Sequence, residues 1–493
     1  MTTVDTETPT TTTPDPLQGQ LYIGGAWREA SSGERTDVLN PATGQVAGSV
    51  AKATAQDVDD AVRAARQAFD SGVWSGLPAR DRARVLHRVA ELIRENAAEL
   101  ARLESLDVGK PLGIAQAVDV ATAAEQYEYV SALTMQLDGA VRETPFPAHA
   151  FTRREAIGVV AAITPFNFPL ILSSTKIAAA LAMGNTVVHK PATDTPLTAL
   201  AMARILAEAG VPDGVVNVVT GSGAVIGDAL TSHPLVGKVA FTGSTEVGAH
   251  IAELAGKGLK PVTAELGGNG AHLVFADADL NVAIPSIIGG ALFNAGQFCM
   301  AGTRILVERP IYDQVVEMLA QAVPGMNVGR PQEAATEMGP LVSQKQLDKV
   351  SGYLRDAREA GARIVAGGEP IELDGGFYHQ PTVVADVADE DPIVAEEIFG
   401  PVLTVQPFDD EAEAVRRANA TPYGLAAGVQ TTDIGRAHRV TKQLQAGMVW
   451  VNTWGLLDPA MPFGGMKQSG FGREFGPEAL AAYTQPKSVV FGL

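Results

Sequence analysis

Phe241-Thr242-Gly243-Ser244-Thr245-Glu246-Val247-Gly248 reads as the end of a β-strand, a Gly/Ser turn and the start of a helix. Exposed N–H groups and the helix dipole at such a turn favour a phosphate, although turns of this kind also serve as plain connectors. The texture continues on both sides. Short β-branched runs alternate with helical stretches: Gly158–Ile163 then Lys176–Met183, Thr186–His189 then Leu197–Ala209, Val215–Val219 then Ala224–Leu230, Val239–Thr242 then Val247–Ala255, and finally Val262–Leu266. Right-handed crossovers between such runs give a parallel sheet covered by helices, a dinucleotide-type half. A second turn, Gly221-Ser222-Gly223, ends the preceding strand, and neither turn has G-x-G-x-x-G spacing. A second alternating series runs through Ala271–Phe275, Arg304–Val307, Val402–Val405 and Met448–Val451, which predicts a second α/β domain.

Upstream, Thr54 is a plausible N-cap for a helix that puts Val58, Ala61, Val62, Ala65 and Phe69 on one face. Val85, Leu86, Val89, Leu92, Ile93, Leu100 and Leu103 mark another. Both read as covering helices rather than catalytic ones. Residues 135–156 are long for a loop and suggest an extended arm, and the β-rich tail Lys487–Leu493 suggests a pairing edge, together an oligomer contact in a homodimer or homotetramer. The expected organisation is a leader at 1–17, a Rossmann-like parallel-sheet cofactor domain from 18–134 and 157–265, a catalytic α/β domain at 266–470, and a small β-rich oligomerisation arm and tail from 135–156 and 471–493.

With 493 residues and 46% hydrophobic composition the chain can fill two or three sizeable cores. The net charge of −19 disfavours nucleic acid as a partner. The most apolar stretch, Ala156 to Leu172, is interrupted by Thr164, Pro165, Asn167 and Pro169, so no membrane span is expected. Residues 1–16 have neither a basic start nor an apolar core and read as a Thr/Pro-rich disordered leader, not a signal peptide. A single cysteine excludes an intramolecular disulfide framework and fits a reducing cytoplasm. The eight histidines show no ligand spacing, and no metal site is expected.

That cysteine, Cys299, sits in Gly296-Gln297-Phe298-Cys299, downstream of the acid in Glu265-Leu266-Gly267-Gly268. A thiol attacks a carbonyl carbon well near neutral pH, and a carboxylate can activate the water that releases the acyl group. Elsewhere a lone cysteine is usually a small buried hydrophobe; here the Gly/Gln-rich surroundings and the acid motif favour a nucleophile. Thr164-Pro165-Phe166-Asn167-Phe168-Pro169 follows a predicted parallel strand, at the carboxyl edge where α/β sheets bind ligands, and the Asn167 amide is suited to a developing oxyanion.

In their order, Asn167, Lys190, the Phe241–Gly248 turn, Glu265–Gly268, Gly296–Cys299, Glu397-Ile398-Phe399-Gly400-Pro401 and Pro462-Phe463-Gly464-Gly465 resemble the NAD(P)-dependent aldehyde dehydrogenase superfamily. The resemblance implies that Cys299 attacks an aldehyde, that Asn167 and the Cys299 N–H hold the oxyanion, and that Glu265 activates water to release the acid. Glu265 points to the hydrolytic branch rather than to transfer onto coenzyme A. It also implies cofactor contacts at Thr164, Pro165, Phe166, Lys190, Thr193, Gly223, Gly243, Ser244, Gly248, Glu397 and Phe399. Thr193 stands where NAD-preferring members often carry a glutamate that repels a 2′-phosphate; a threonine removes that repulsion and can donate a hydrogen bond, so NAD or NADP is expected, with Asp194 next door weighing against NADP. The aldehyde tunnel would be lined by Phe168, Ile171, Thr175, Phe298, Met300, Trp454, Leu457 and Phe463. This apolar and aromatic set suits an uncharged aliphatic or aromatic aldehyde. A semialdehyde or amino-aldehyde is the nearest rival, and a cofactor-independent cysteine thioesterase the rival of a different class.

Overall fold

The computed structural model describes residues 17–136 and 138–493; the expected leader, apart from Leu17, lies outside the described residues. Two parallel sheets organise the chain. The first has eight strands, and its five central parallel ones lie in the spatial order Val262–Glu265, Val236–Thr242, Val159–Ile163, Thr186–Lys190, Val216–Val218. Numbered along the chain and read from the Val216–Val218 end, this is 3-2-1-4-5, the order of a dinucleotide-binding sheet, with its reversal between Val159–Ile163 and Val236–Thr242. The turns after those two strands, 164–168 and 243–244, therefore open on the crevice where such sheets bind ligands. Val159–Ile163 and Thr186–Lys190 are buried at every position, as strands covered by helices on both faces must be.

Thr54 caps the helix Ala55–Ser71 through a reciprocal capping box with Asp57, and Val58, Ala61, Val62 and Ala65 are buried against the sheet. The second helical pattern is two helices, Ala79–Glu95 and Ala97–Val108, broken at Asn96. Both ends of that break are apolar on the same side, which is why periodicity alone joined them. The helix expected from Lys176 begins seven residues earlier, at Pro169, where proline suits the first turn.

The second sheet has seven strands in the order Arg363–Ala366, Thr382–Ala385, Val402–Phe408, Arg304–Glu308, Ala271–Val274, Ala426–Gln430, Met448–Val451, all parallel except the first. Cys299 lies between the helix Leu280–Leu292 and the strand Arg304–Glu308. A third sheet pairs Thr484–Gly492 antiparallel to Ala148–Ala156, with Val141–Arg142 on the far side. The tail thus pairs first with the chain's own arm. Between the second sheet and this tail, Gly470–Phe471 joins the edge of the first sheet beside Val262–Glu265, and the helix Gly476–Ala482 packs on Pro169–Ala182. The stretch after 470 is therefore divided: only its last strand belongs to the arm sheet.

Candidate active site

The residues around the nucleophile are held in an unusual backbone path. Asn294, Ala295 and Gly296 follow one another with φ of 52°, 55° and 70°. Only glycine fits the third position, because a Cβ there would lie 1.9 Å from the Gly400 carbonyl oxygen. This contact seats the cysteine loop against the Phe399–Pro401 segment, itself strained at Phe399 with φ of 58°. Asn294 Nδ2 donates to the carbonyls of Asn167 (3.0 Å) and Gln297 (3.2 Å), and Asn167 Nδ2 donates to the Gln297 carbonyl at 3.0 Å. Asn167 from the first domain and the cysteine loop from the second are thus tied together. One Asn167 N–H is used in that tie, and its Oδ1 has no partner.

Cys299 lines two cavities. On one side, a cavity of about 190 Å³ is bounded by Pro165, Phe166, Asn167, Thr242, Gly243, Ser244, Leu266, Gly267, Gln346, Lys349, Glu397 and Phe399. On the other, a cavity of about 460 Å³ is bounded by Phe168, Ile171, Leu172, Phe293, Phe298, Met300, Trp454, Leu456, Leu457, Phe463 and Phe475, with Ala117, Val118 and Thr122 completing the wall. Seven of the eight residues expected along the aldehyde tunnel are on this second wall. Thr175 is not: it is buried inside its helix, where its hydroxyl donates to the Ile171 carbonyl at 2.8 Å. That back-bond turns the side chain away from the cavity.

The first cavity opens on the sheet reversal. Ser244 caps the helix Thr245–Lys257 by accepting from the Val247 N–H at 3.3 Å, leaving the earlier N–H groups of that turn beside the cavity. Gly248 serves packing instead, since a Cβ there would lie 2.2 Å from Leu266 Cδ2. Glu397 Oε1 accepts from the Gly268 N–H at 2.9 Å, and the Phe399 ring meets Phe166 edge-on at 5.6 Å. Burial pushes the Glu397 carboxyl up to about 7 against the pull of Gly268 and Lys349. Lys190 is buried on its strand, and burial draws it down to about 8 while Asp194 opposes the change. Thr164 shares a hydrogen bond with His189 Nε2 at 3.0 Å, and Gly223 begins a π-turn close to the Lys190 ammonium. Thr193 Oγ1 donates to the Gly221 carbonyl at 3.0 Å.

Glu265 is almost fully buried, and neither carboxyl oxygen has a hydrogen bond of regular geometry, the Gly465 N–H being the group that favours its charge from the backbone. Burial first, then the Glu474 carboxylate, raise it well above the usual carboxylate range, while Lys176 and Arg473 pull the other way. The Cys299 thiol is pushed up to about 12 by burial and by Glu397 and Glu265; the N–H groups of Met300 and Cys299 oppose this. Sequence reasoning missed the buried pair Lys176 and Glu474, which touch directly, Lys176 also donating to Thr242 Oγ1 at 2.6 Å. Lys176 had a visible signal as the one charge in the apolar helix Pro169–Ala182; Glu474 had none. Gln346 and Lys349 were missed as well. Among the described residues no group of three or more His, Cys, Asp or Glu is placed to hold a metal ion. None of the described helices is long and apolar enough to cross a membrane.

A half-buried thiol between a dinucleotide-type crevice and an apolar cavity defines a cysteine-dependent oxidoreductase site, and the comparisons agree. Residues 27–489 match the model of the aldehyde dehydrogenase family, and this chain belongs to that family. DhaS of Bacillus subtilis (strain 168), named for the same family, is 44% identical over 475 residues, 96% of each chain. The NAD+ complex structure of aldehyde dehydrogenase from Bacillus cereus is 44% identical, with a TM-score of 0.95 and 97% of each chain covered. Betaine aldehyde dehydrogenase from Staphylococcus aureus in complex with NAD+ is 38% identical with a TM-score of 0.95, covering 97% of this chain and 95% of that one. The protein is an NAD(P)-dependent aldehyde dehydrogenase.

Proposed function

We propose that this enzyme oxidises uncharged aliphatic or aromatic aldehydes to their acids by the hydrolytic route, with Cys299 as nucleophile, Asn167 as oxyanion donor and Glu265 as base. The carrying observation is that Cys299 alone lies on both cavities, so a carbonyl entering from the apolar side meets the sulfur where the other cavity ends. Bound dinucleotide would supply the hydride acceptor. Sulfur gives up its proton to water and adds to the carbonyl carbon, and the oxyanion takes the free Asn167 amide N–H and the Cys299 backbone N–H. Loss of hydride from that carbon leaves a thioester. Glu265, made basic by burial, takes the proton of the attacking water. Glu397, Lys190 and Phe399 would hold the riboses and nicotinamide half of a bound dinucleotide and Ser244 and Gly243 its pyrophosphate, with Thr164, Pro165 and Phe166 on the same side of the site.

NAD is the preferred cofactor in this reading. The Thr193 hydroxyl already donates to Gly221, so it has no hydrogen left for a 2′-phosphate, and exposed Asp194 adds like charge. Among the described residues, none on the wall of the aldehyde cavity carries a charged side chain, which disfavours semialdehydes. A homo-oligomer built on the arm sheet and a reducing cytoplasmic setting complete the proposal. The test is an aldehyde panel run with NAD and NADP in parallel, on wild type and two variants. Cys299→Ala is expected to bind cofactor and produce no reduced cofactor; Glu265→Gln is expected to keep a burst of reduced cofactor and lose steady turnover. Wild-type rates in Cys299→Ala, or equal slowing of both phases in Glu265→Gln, would remove those roles.

A further inference from the structure

Behind the apolar cavity stands a charged cluster that none of the chemistry above uses. Lys110, Glu104 and Asp119 have no exposed side-chain surface. The Lys110 ammonium lies 2.5 Å from Asp119 Oδ1, 3.6 Å from Glu104 Oε1, and 4.0 Å from the centroid of the Phe168 ring. Each partner leads to the site. Asp119 sits in the π-turn Ala115–Val120, whose Ala117 and Val118 form one wall of the cavity. Phe168 forms the facing wall and follows Asn167 directly in the chain. Glu104 Oε1 accepts from the Leu170 N–H at 3.5 Å, at the start of the helix that leaves Asn167.

A buried ion pair is a weak device for stability, because apolar residues of like volume do as well; its strength is in fixing one arrangement over others. Burial and the nearby Asp119 carboxylate hold the Glu104 carboxyl well above the usual range, which leaves Asp119 as the counter-ion of Lys110. A cation desolvated against an aromatic face holds that ring's orientation. A π-turn carries one extra residue, so the direction in which Val118 points depends on the register that Asp119 anchors.

We propose that Lys110 is a positioning residue for aldehyde selection, setting the Phe168 ring and the Ala117–Val118 wall relative to each other. The proposal rests on the reading of this cavity as the aldehyde side. Lys110→Met/Asp119→Asn removes cation and counter-ion together, so no buried charge is orphaned. It is expected to keep the KM for NAD within about twofold, while the ratio of kcat/KM for phenylacetaldehyde to that for propanal shifts by about fivefold or more, mostly through the KM of the larger aldehyde. Phe168→Leu is expected to shift the same ratio, and the combined variant to add little, because both act through one ring. An unchanged ratio in the folded protein, or independent effects that simply multiply, overturns the proposal. If Lys110→Met/Asp119→Asn does not fold, Asp119→Glu displaces the ammonium by one methylene and must shift the ratio; an unchanged ratio there is equally fatal. Leu172→Trp, on the cavity wall and outside the cluster, separates the two ideas. A response there without one in the Lys110 variants sinks this proposal alone, and no response there sinks the reading of the cavity.

Discussion

A thiol pushed up to about 12 is almost wholly protonated at neutral pH, so Cys299 reacts only as fast as its proton is removed. With no second cysteine to obscure the signal, iodoacetamide labelling of the free enzyme is expected to quicken by about tenfold per pH unit from 7 to 10 without a plateau. A plateau near pH 8 would show a thiolate stabilised by the site. Glu397 and Lys190 set a second pH dependence. Glu397 gains its charge above about 7 and Lys190 loses its own above about 8, so riboses that donate to the carboxylate and accept from the ammonium are both best held between those values. NAD affinity by calorimetry is expected to peak in that interval, and Glu397→Gln to lose the acid limb only. Thr193→Glu is expected to penalise NADP far more than NAD at one fixed salt concentration; an unchanged ratio would mean the side chain faces elsewhere. Cys299, Glu265 and Asn167 were legible because each is chemically unusual in its setting. Thr175 was placed on the tunnel by the family resemblance alone, and an aligned position cannot reveal that its hydroxyl turns back onto the Ile171 carbonyl.

Among elements, the helix Thr245–Lys257 and the turn 293–296 do the most positioning. Removing the Ser244 cap as Ser244→Ala is expected to cost about 1 kcal/mol in denaturant unfolding and to raise the KM for NAD, since the same turn presents N–H groups to the cavity. A cost in stability with no change in cofactor binding would separate the cap from the site. At Gly296 a methyl group meets a backbone carbonyl that cannot rotate away, and Gly296→Ala is expected to lower kcat on the order of 100-fold by moving the sulfur. Normal turnover in that variant would mean the two loops slide freely. The parallel strands were legible from their apolar runs, whereas the 3-2-1-4-5 order was not, because periodicity reports burial and says nothing of neighbours. The break at Asn96 and the π-turn Ala115–Val120 escaped notice for the same reason: neither interrupts the apolar pattern. Contacts such as Lys176 with Glu474, 298 residues apart, lie beyond any local signal.

For the molecule as a whole, the strand Thr484–Gly492 has one edge paired to Ala148–Ala156 and the other unpaired among the described residues, with Val490 and Phe491 exposed. Removing 484–493 is expected to lower the oligomeric mass measured by light scattering, and an unchanged mass would place the contact elsewhere. Cys299, at the meeting of two cavities, makes the enzyme a chamber with two doors. On the proposed assignment of the two cavities, dinucleotide and aldehyde would not queue for one entrance, and either could be in place while the other exchanges. An apolar, unreactive aldehyde mimic should therefore compete with aldehyde and leave the door used by the dinucleotide open. On the proposed roles, an acyl group on that sulfur would have a cavity on either side of it, and water would reach it through whichever of the two is empty.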